Sequence, residues 1–186
     1  MKKLVFWIMM IAAVAVSTGF AAEAVASAER RQEEARADSL FEVAVEIIKK
    51  YETMHHPRHW PLVGYGHKVL PGEKFDRKTT LTESRADALL RSDLRKNMRV
   101  FRQFGRDSMI LGVLAYNIGM GNVMRSSIVK KLREGDRDIR DIYISYNRYR
   151  GKTHRQIKRR RIEEFDRLFI TDTHIANTAN TVKEND

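Results

Sequence analysis

The residues best suited to chemistry lie close together in Tyr51-Glu52-Thr53-Met54-His55-His56-Pro57-Arg58-His59-Trp60, followed by Pro61-Leu62-Val63-Gly64-Tyr65-Gly66-His67. Glu52 is the only carboxylate in this stretch. A carboxyl group can donate a proton to a leaving group, and a neutral imidazole can accept one near neutral pH, so Glu52 with His55, His56 or His59 is a candidate acid–base set. Glu73, in the turn Pro71-Gly72-Glu73, is a further candidate base if that turn reaches back. The three histidines also invite a metal reading. No nearby acidic ligand completes a familiar pattern, and the chain has no cysteine, so no metal and no cofactor is expected.

The elements that must position these groups can be read from periodicity. Phe41, Ala44, Val45, Ile48, Tyr51 and Glu52 recur at helical spacing, with Asp38 or Ser39 as the expected N-cap. Glu52 then lies beside a buried stripe at a helix C-terminus. Both surroundings oppose negative charge, the condition a general acid needs. Pro57 and Pro61 stop the helix, and Leu62 to Leu70 reads as short strands bent at glycines. Thr82 caps a second helix, on which Asp93 falls at the edge of the apolar face and needs a partner. Ser108 to Ile118 is the most apolar stretch of the body and reads as a central buried helix ending at Asn117. Ser126 or Ser127 opens another helix, and two more are expected over 139–149 and 156–169, separated by a turn at Tyr149-Arg150-Gly151-Lys152. The basic run Arg155 to Arg161 has three readings: a docking patch, a solvated face, or arginines turned inward to a carboxylate.

The 186 residues carry a net charge of +11, which favours polyanionic partners. Met1-Lys2-Lys3, the apolar run Leu4 to Phe20 and the small residues Ala21, Ala22, Ala24 and Ala26 read as an export signal over 1–24, or as an anchor through 4–22. Residues 25–38 form a spacer, 39–170 the folded domain, and 171–186 a polar, flexible tail. Export turns the expected partner of the basic surface from nucleic acid to the cell envelope, in the periplasm or outside the cell. A monomer is expected.

From Phe41 to Phe169 the order of these motifs resembles the phage-type lysozymes, glycoside hydrolase family 24. Tyr51-Glu52 resembles the family's aromatic-Glu at the end of a helix, and Gly64-Tyr65-Gly66-His67 its G-x-G-H strand. Ala115-Tyr116-Asn117-Ile118-Gly119, Lys130-Lys131-Leu132-Arg133-Glu134-Gly135-Asp136 and Arg159-Arg160-Arg161 followed by Glu164 match later motifs. The resemblance implies a mostly helical α+β fold, with a small β-hairpin lobe beside a larger helical one. It implies peptidoglycan glycan strands as substrate, cut at the β-1,4 bond after N-acetylmuramic acid, with anionic wall polymers as a second partner. Glu52 would be the general acid, Tyr65 and Asn117 would line the cleft, and His67 and Asp93 would form a structural pair. An arginine of the Arg159–Arg161 run, with Arg160 as the candidate, would support Glu52.

One departure stands out. The family carries an Asp and a Thr between its Glu and its G-x-G-H strand, and these place the attacking water. Here no Asp or Glu lies between Glu52 and His67, and Leu62 stands at the Thr position. Three accounts follow: a base among His55, His56, His59 and Glu73; cleavage by Glu52 alone, as in lytic transglycosylases; or a non-catalytic wall-binding protein of an envelope-crossing machine.

Overall fold

The computed structural model describes the backbone of residues 2–171 and the side chains of residues 23–171. The export signal or anchor therefore falls largely, and the tail at 171–186 almost wholly, outside the described side chains. Among the described residues, no helix is long and apolar enough to cross a membrane.

The chain adopts the mostly helical α+β class expected from its sequence. Helix α1 spans Lys2–Glu52. No cap interrupts it at Asp38 or Ser39, contrary to expectation. The stretch Glu23 to Asp38 is rich in Ala, Glu, Arg and Gln and has neither Gly nor Pro, so nothing in it stops a helix. Its side chains are mostly exposed. From Leu40 onward the helix has a buried stripe of Phe41, Ala44, Val45, Ile47 and Ile48. Each fully buried Ile of this kind contributes about 1.5–3 kcal/mol relative to its exposed state.

After α1, a single 3-10 turn (Pro57–His59) leads into β1 (Leu62–Val63), which pairs antiparallel with β2 (His67–Lys68). Val63 pairs with His67 across the hairpin. Gly64 and Gly66 have φ of 57° and 96°, which L side chains rarely adopt. Gly64 also lies against α2 (Glu83–Val100): a Cβ there would come within 3.0 Å of the Ala86 Cβ. Thr82 caps α2 by accepting from the Arg85 N–H.

Helix α3 (Ser108–Ile118) is buried from Met109 to Ala115. It serves two apolar clusters at once. Met109 and Val113 pack with α1, α2 and the β1–β2 hairpin, while Ile110, Leu111 and Leu114 pack with Val123, Ile128, Tyr143 and Phe165. This explains why its sequence is apolar all round rather than striped. Gly119 ends α3, and a short α4 (Met120–Met124) follows. Ser126 caps α5 (Ser127–Arg133). Helix α6 (Arg140–Ser145) is shorter than its periodicity suggested. It gives way to a second hairpin, β3 (Arg148–Tyr149) with β4 (Lys152–Thr153), around the expected turn. Helix α7 (Arg155–Leu168) closes the described chain.

Candidate active site

Glu52 is the last residue of α1, and its side chain is 19% exposed. Two groups hold its Oε1: Arg160 Nη1 from α7 at 2.6 Å and Asn117 Nδ2 from α3 at 3.3 Å. The helix C-terminus is thus joined by a guanidinium in direct contact, a neighbour that the helix position alone does not reveal.

Arg160 is fixed in turn. Its Nε donates to Glu164 Oε1 at 2.7 Å, and its guanidinium lies 5.7 Å from the centroid of the Tyr51 ring. Glu164 is fully buried and also accepts from Arg161 Nη1 and from Tyr143 Oη, the latter at 2.8 Å. Arg161 reaches back to the site by donating from Nη2 to Asn117 Oδ1. An amide oxygen that accepts from a guanidinium leaves its NH2 to face the carboxylate, so Arg161 sets the orientation of Asn117. Two carboxyl groups and two guanidiniums thus form one cluster in which each guanidinium has a carboxyl partner, the condition under which buried ions are tolerated. Arg160 is the arginine expected at the site, whereas Arg161, Glu164 and Tyr143 acquire their roles only through these contacts. The available signal was spacing, since Arg160 and Arg161 stand four and three residues before Glu164 on one helix.

Beside Arg160, Tyr51 donates to Glu163 Oε2 at 2.8 Å. Burial, then the Glu163 contact, pushes its phenol up to about 12, so it stays a neutral donor.

Glu52 Oε2 has no hydrogen-bond partner among the described residues and faces Gly66. A Cβ at Gly66 would lie 3.6 Å from this oxygen, 3.8 Å from His55 Cε1 and 3.8 Å from Tyr116 Cε1. With no side chain at Gly66, the carboxyl, the His55 imidazole and the Tyr116 ring surround a small opening there, each at van der Waals distance from where a Cβ would sit. His55 is bound twice to the Gly64 carbonyl, by its backbone N–H at 2.8 Å and by its ring Nδ1 at 3.2 Å. Tyr116 Oη donates to the Tyr65 carbonyl at 2.9 Å, which fixes the floor.

The other candidates lie elsewhere. The exposed His59 accepts from the His56 N–H at its Nδ1, at 3.1 Å, and meets Arg58 Nε at its Nε2, at 3.3 Å. His56 is exposed. Glu73 does not reach Glu52. Its Oε2 accepts from the Leu70 N–H at 2.7 Å and meets His67 Nε2 at 2.9 Å, while His67 Nδ1 meets Asp93 Oδ2 at 2.5 Å. The buried His67 thus has a carboxylate on each ring nitrogen. Burial alone would lower its pKa, but the Asp93 and Glu73 bonds together hold it above the ordinary histidine value. The Leu70 N–H and His67 draw Glu73 below the usual carboxylate range. The Tyr65 ring does not line the opening. It packs in the core, with its hydroxyl 3.4 Å from Glu83 and Lys49 Nζ over its face. Among the described residues, no group of three His, Cys, Asp or Glu side chains is arranged to hold a metal ion.

Residues 46–164 match the family model described as phage lysozyme. Among solved structures, the chain resembles the muramidase domain of SpmX from Asticaccaulis excentricus, with a TM-score of 0.56 and 22% identity over 69% of this chain and 96% of that one. It also resembles an endolysin from Escherichia coli O157:H7 phage FAHEc1, with a TM-score of 0.55 and 21% identity over 70% of this chain and 91% of that one. Identities this low speak for the fold. No curated protein matches the chain in sequence.

Proposed function

Since this chain belongs to the phage lysozyme family, we propose that it cleaves the glycan strands of peptidoglycan at the β-1,4 bond after N-acetylmuramic acid, with Glu52 as general acid. The observation that carries this reading is the division of labour within one carboxyl group. Oε1 is held by Arg160 and Asn117, and Oε2 is turned to the opening at Gly66. A carboxyl held at one oxygen can deliver a proton from the other along a fixed line, which is what protonation of a glycosidic oxygen requires. Asn117 and Arg160 are positioning residues. The His67–Asp93–Glu73 clamp supports the strand that ends at the opening.

The test is mass spectrometry of fragments released from purified sacculi by the parent and by Glu52→Gln. The parent should release muropeptides and the variant none. Equal release by both, or by neither, overturns the reading. A hydrolase leaves a reducing muramic end, and a lytic transglycosylase leaves an anhydro end.

The proposed setting is the periplasm or the cell exterior. Residues 1–24 would serve as export signal or anchor and 25–38 as spacer, with the catalytic domain over 39–170. A second surface supports a wall partner. Arg148, Arg150 and Lys152 on the β3–β4 hairpin, and Arg155, Lys158 and Arg159 on α7, are all exposed. Among the described residues, no carboxylate forms an ion pair with any of them, whereas Lys49, Arg91, Arg137, Arg160 and Arg167 all have carboxylate partners. Tyr149, 57% exposed, stands among them with Arg150 against its ring. Such a patch suits a repeating anionic polymer of the wall, held by salt-sensitive attraction.

A further inference from the structure

We infer that His55, through Nε2, is the general base of the cleavage, taking the place of the carboxylate that this chain lacks between Glu52 and His67. The inference rests on the glycosidase reading of Glu52. Three observations carry it. First, the ring is fixed: its Nδ1 lies 3.2 Å from the Gly64 carbonyl oxygen, which can only accept, so Nδ1 carries the hydrogen. In the neutral ring the lone pair is then on Nε2, the atom a base must offer. Second, Nε2 has no partner among the described residues. Third, the ring meets the same opening as the acid, since Glu52 Oε2 and His55 Cε1 both lie within 4 Å of the point a Gly66 Cβ would occupy. The competing candidates lack this combination. Both ring nitrogens of His59 face neighbouring N–H groups, His56 makes no contact with the opening, and Glu73 is bound to His67 and Leu70.

Glu52 gives its proton to the glycosidic oxygen as the bond from that oxygen to the muramic C1 breaks. A water oxygen bonds to C1, and the water's proton passes to His55 Nε2. The products are a muramic hemiacetal and the free 4-hydroxyl of N-acetylglucosamine. Glu52 is left as carboxylate and His55 as imidazolium, and exchange with solvent restores both. The titratable and charged groups around His55 are Glu52 with its partner Arg160, His59 at 5.0 Å between ring centroids, the neighbouring His56, and Tyr116 from α3.

The experiment uses the full chain acting on purified sacculi in 18O-labelled water, comparing the parent with Glu52→Gln, His55→Asn, His55→Gly and His59→Asn. Asparagine can keep the N–H donated to the Gly64 carbonyl but cannot act as a base, so it separates the chemical role from the structural one. Expected are a kcat loss of about 10²–10⁴-fold in His55→Asn with KM little changed, and disappearance of the acid limb of its kcat–pH profile. Added imidazole should restore His55→Gly, His59→Asn should keep its activity, and the parent should leave 18O at C1. The inference is overturned if His55→Asn keeps the parental kcat and acid limb, if folded His55→Gly gains nothing from imidazole, or if the product is anhydro-muramic. Glu52→Gln tells the two failures apart. If it is inactive while His55→Asn is active, only the base assignment falls. If the parent itself releases no fragments, the glycosidase reading falls and takes this inference with it.

Discussion

Arg160 and Glu52, 108 positions apart in the chain, meet at 2.6 Å, and this contact leaves the second oxygen of Glu52 turned to the opening at Gly66. The guanidinium does more than supply charge. One nitrogen holds Glu52 while another holds the buried Glu164, so the planar fork sets the distance between two carboxylates.

Arg160→Lys keeps the charge but cannot span both partners. It should lower kcat about 100-fold, the scale of a small displacement of a catalytic group, with KM little changed. Glu164→Gln should destabilise the fold by about 3–5 kcal/mol, because it leaves buried guanidinium uncompensated. Fragment-release kinetics check the first, and urea denaturation the second. A parental kcat in the lysine variant would mean that charge alone suffices.

The His67–Glu73 contact should write itself into the pH dependence of stability. The His67 pKa is raised in the fold, so its contribution is full below the ordinary value of 6.5 and is lost as pH rises through the higher folded value. The Glu73 pKa is lowered, so its contribution is full above 4.5 and is lost as pH falls through the lower folded value. The stability advantage of the parent over Glu73→Gln is therefore expected to be largest between those two values and to shrink in alkali. Denaturation midpoints across pH measure it, and a difference flat from pH 5 to 9 would contradict the clamp.

Thr53 has φ of 53°, an unfavourable conformation for a β-branched residue, and its side chain is exposed. Thr53→Gly removes a left-handed cost of about 1–2 kcal/mol and restores part of it as extra freedom in the unfolded chain, for a net gain of about 1 kcal/mol. The denaturation midpoint should rise, and activity should be kept.

The cationic surface predicts a salt response. Reversing Arg155, Lys158 and Arg159 to glutamate should weaken sedimentation with sacculi at low salt and flatten its dependence on ionic strength. Cleavage of short soluble glycans should be little affected. Unchanged sedimentation would remove the patch as a docking surface.

Much of the framework was legible because local rules decide it. The apolar spacing of α1, the hydroxyl caps of α2 and α5, and the unbroken apolar run of α3 each follow from a few neighbouring residues. Glu52 could be placed at a helix end on the same grounds. The partners of Glu52 were harder to read, since a helix dipole is a local property and a guanidinium from 108 positions away is not. Glu73 read as a reachable base because a turn residue is free in sequence, yet folding gives its carboxylate to the Leu70 N–H and His67. The expectation that Tyr65 lines the cleft rests on the family resemblance, not on any local rule. The turn between β1 and β2 instead buries its ring in the core, and its carbonyl accepts from Tyr116 Oη.

The double attachment of His55 to the Gly64 carbonyl has an evolutionary corollary. It ties the end of α1 to the turn that follows β1, so that the 3-10 segment and β1 between them start and finish at one place. A segment tethered in this way can grow, shrink or change composition while the acid and the strand that faces it keep their registration. The short, histidine-rich segment here is therefore tied down at the residue that stands nearest the acid, whatever its remaining composition.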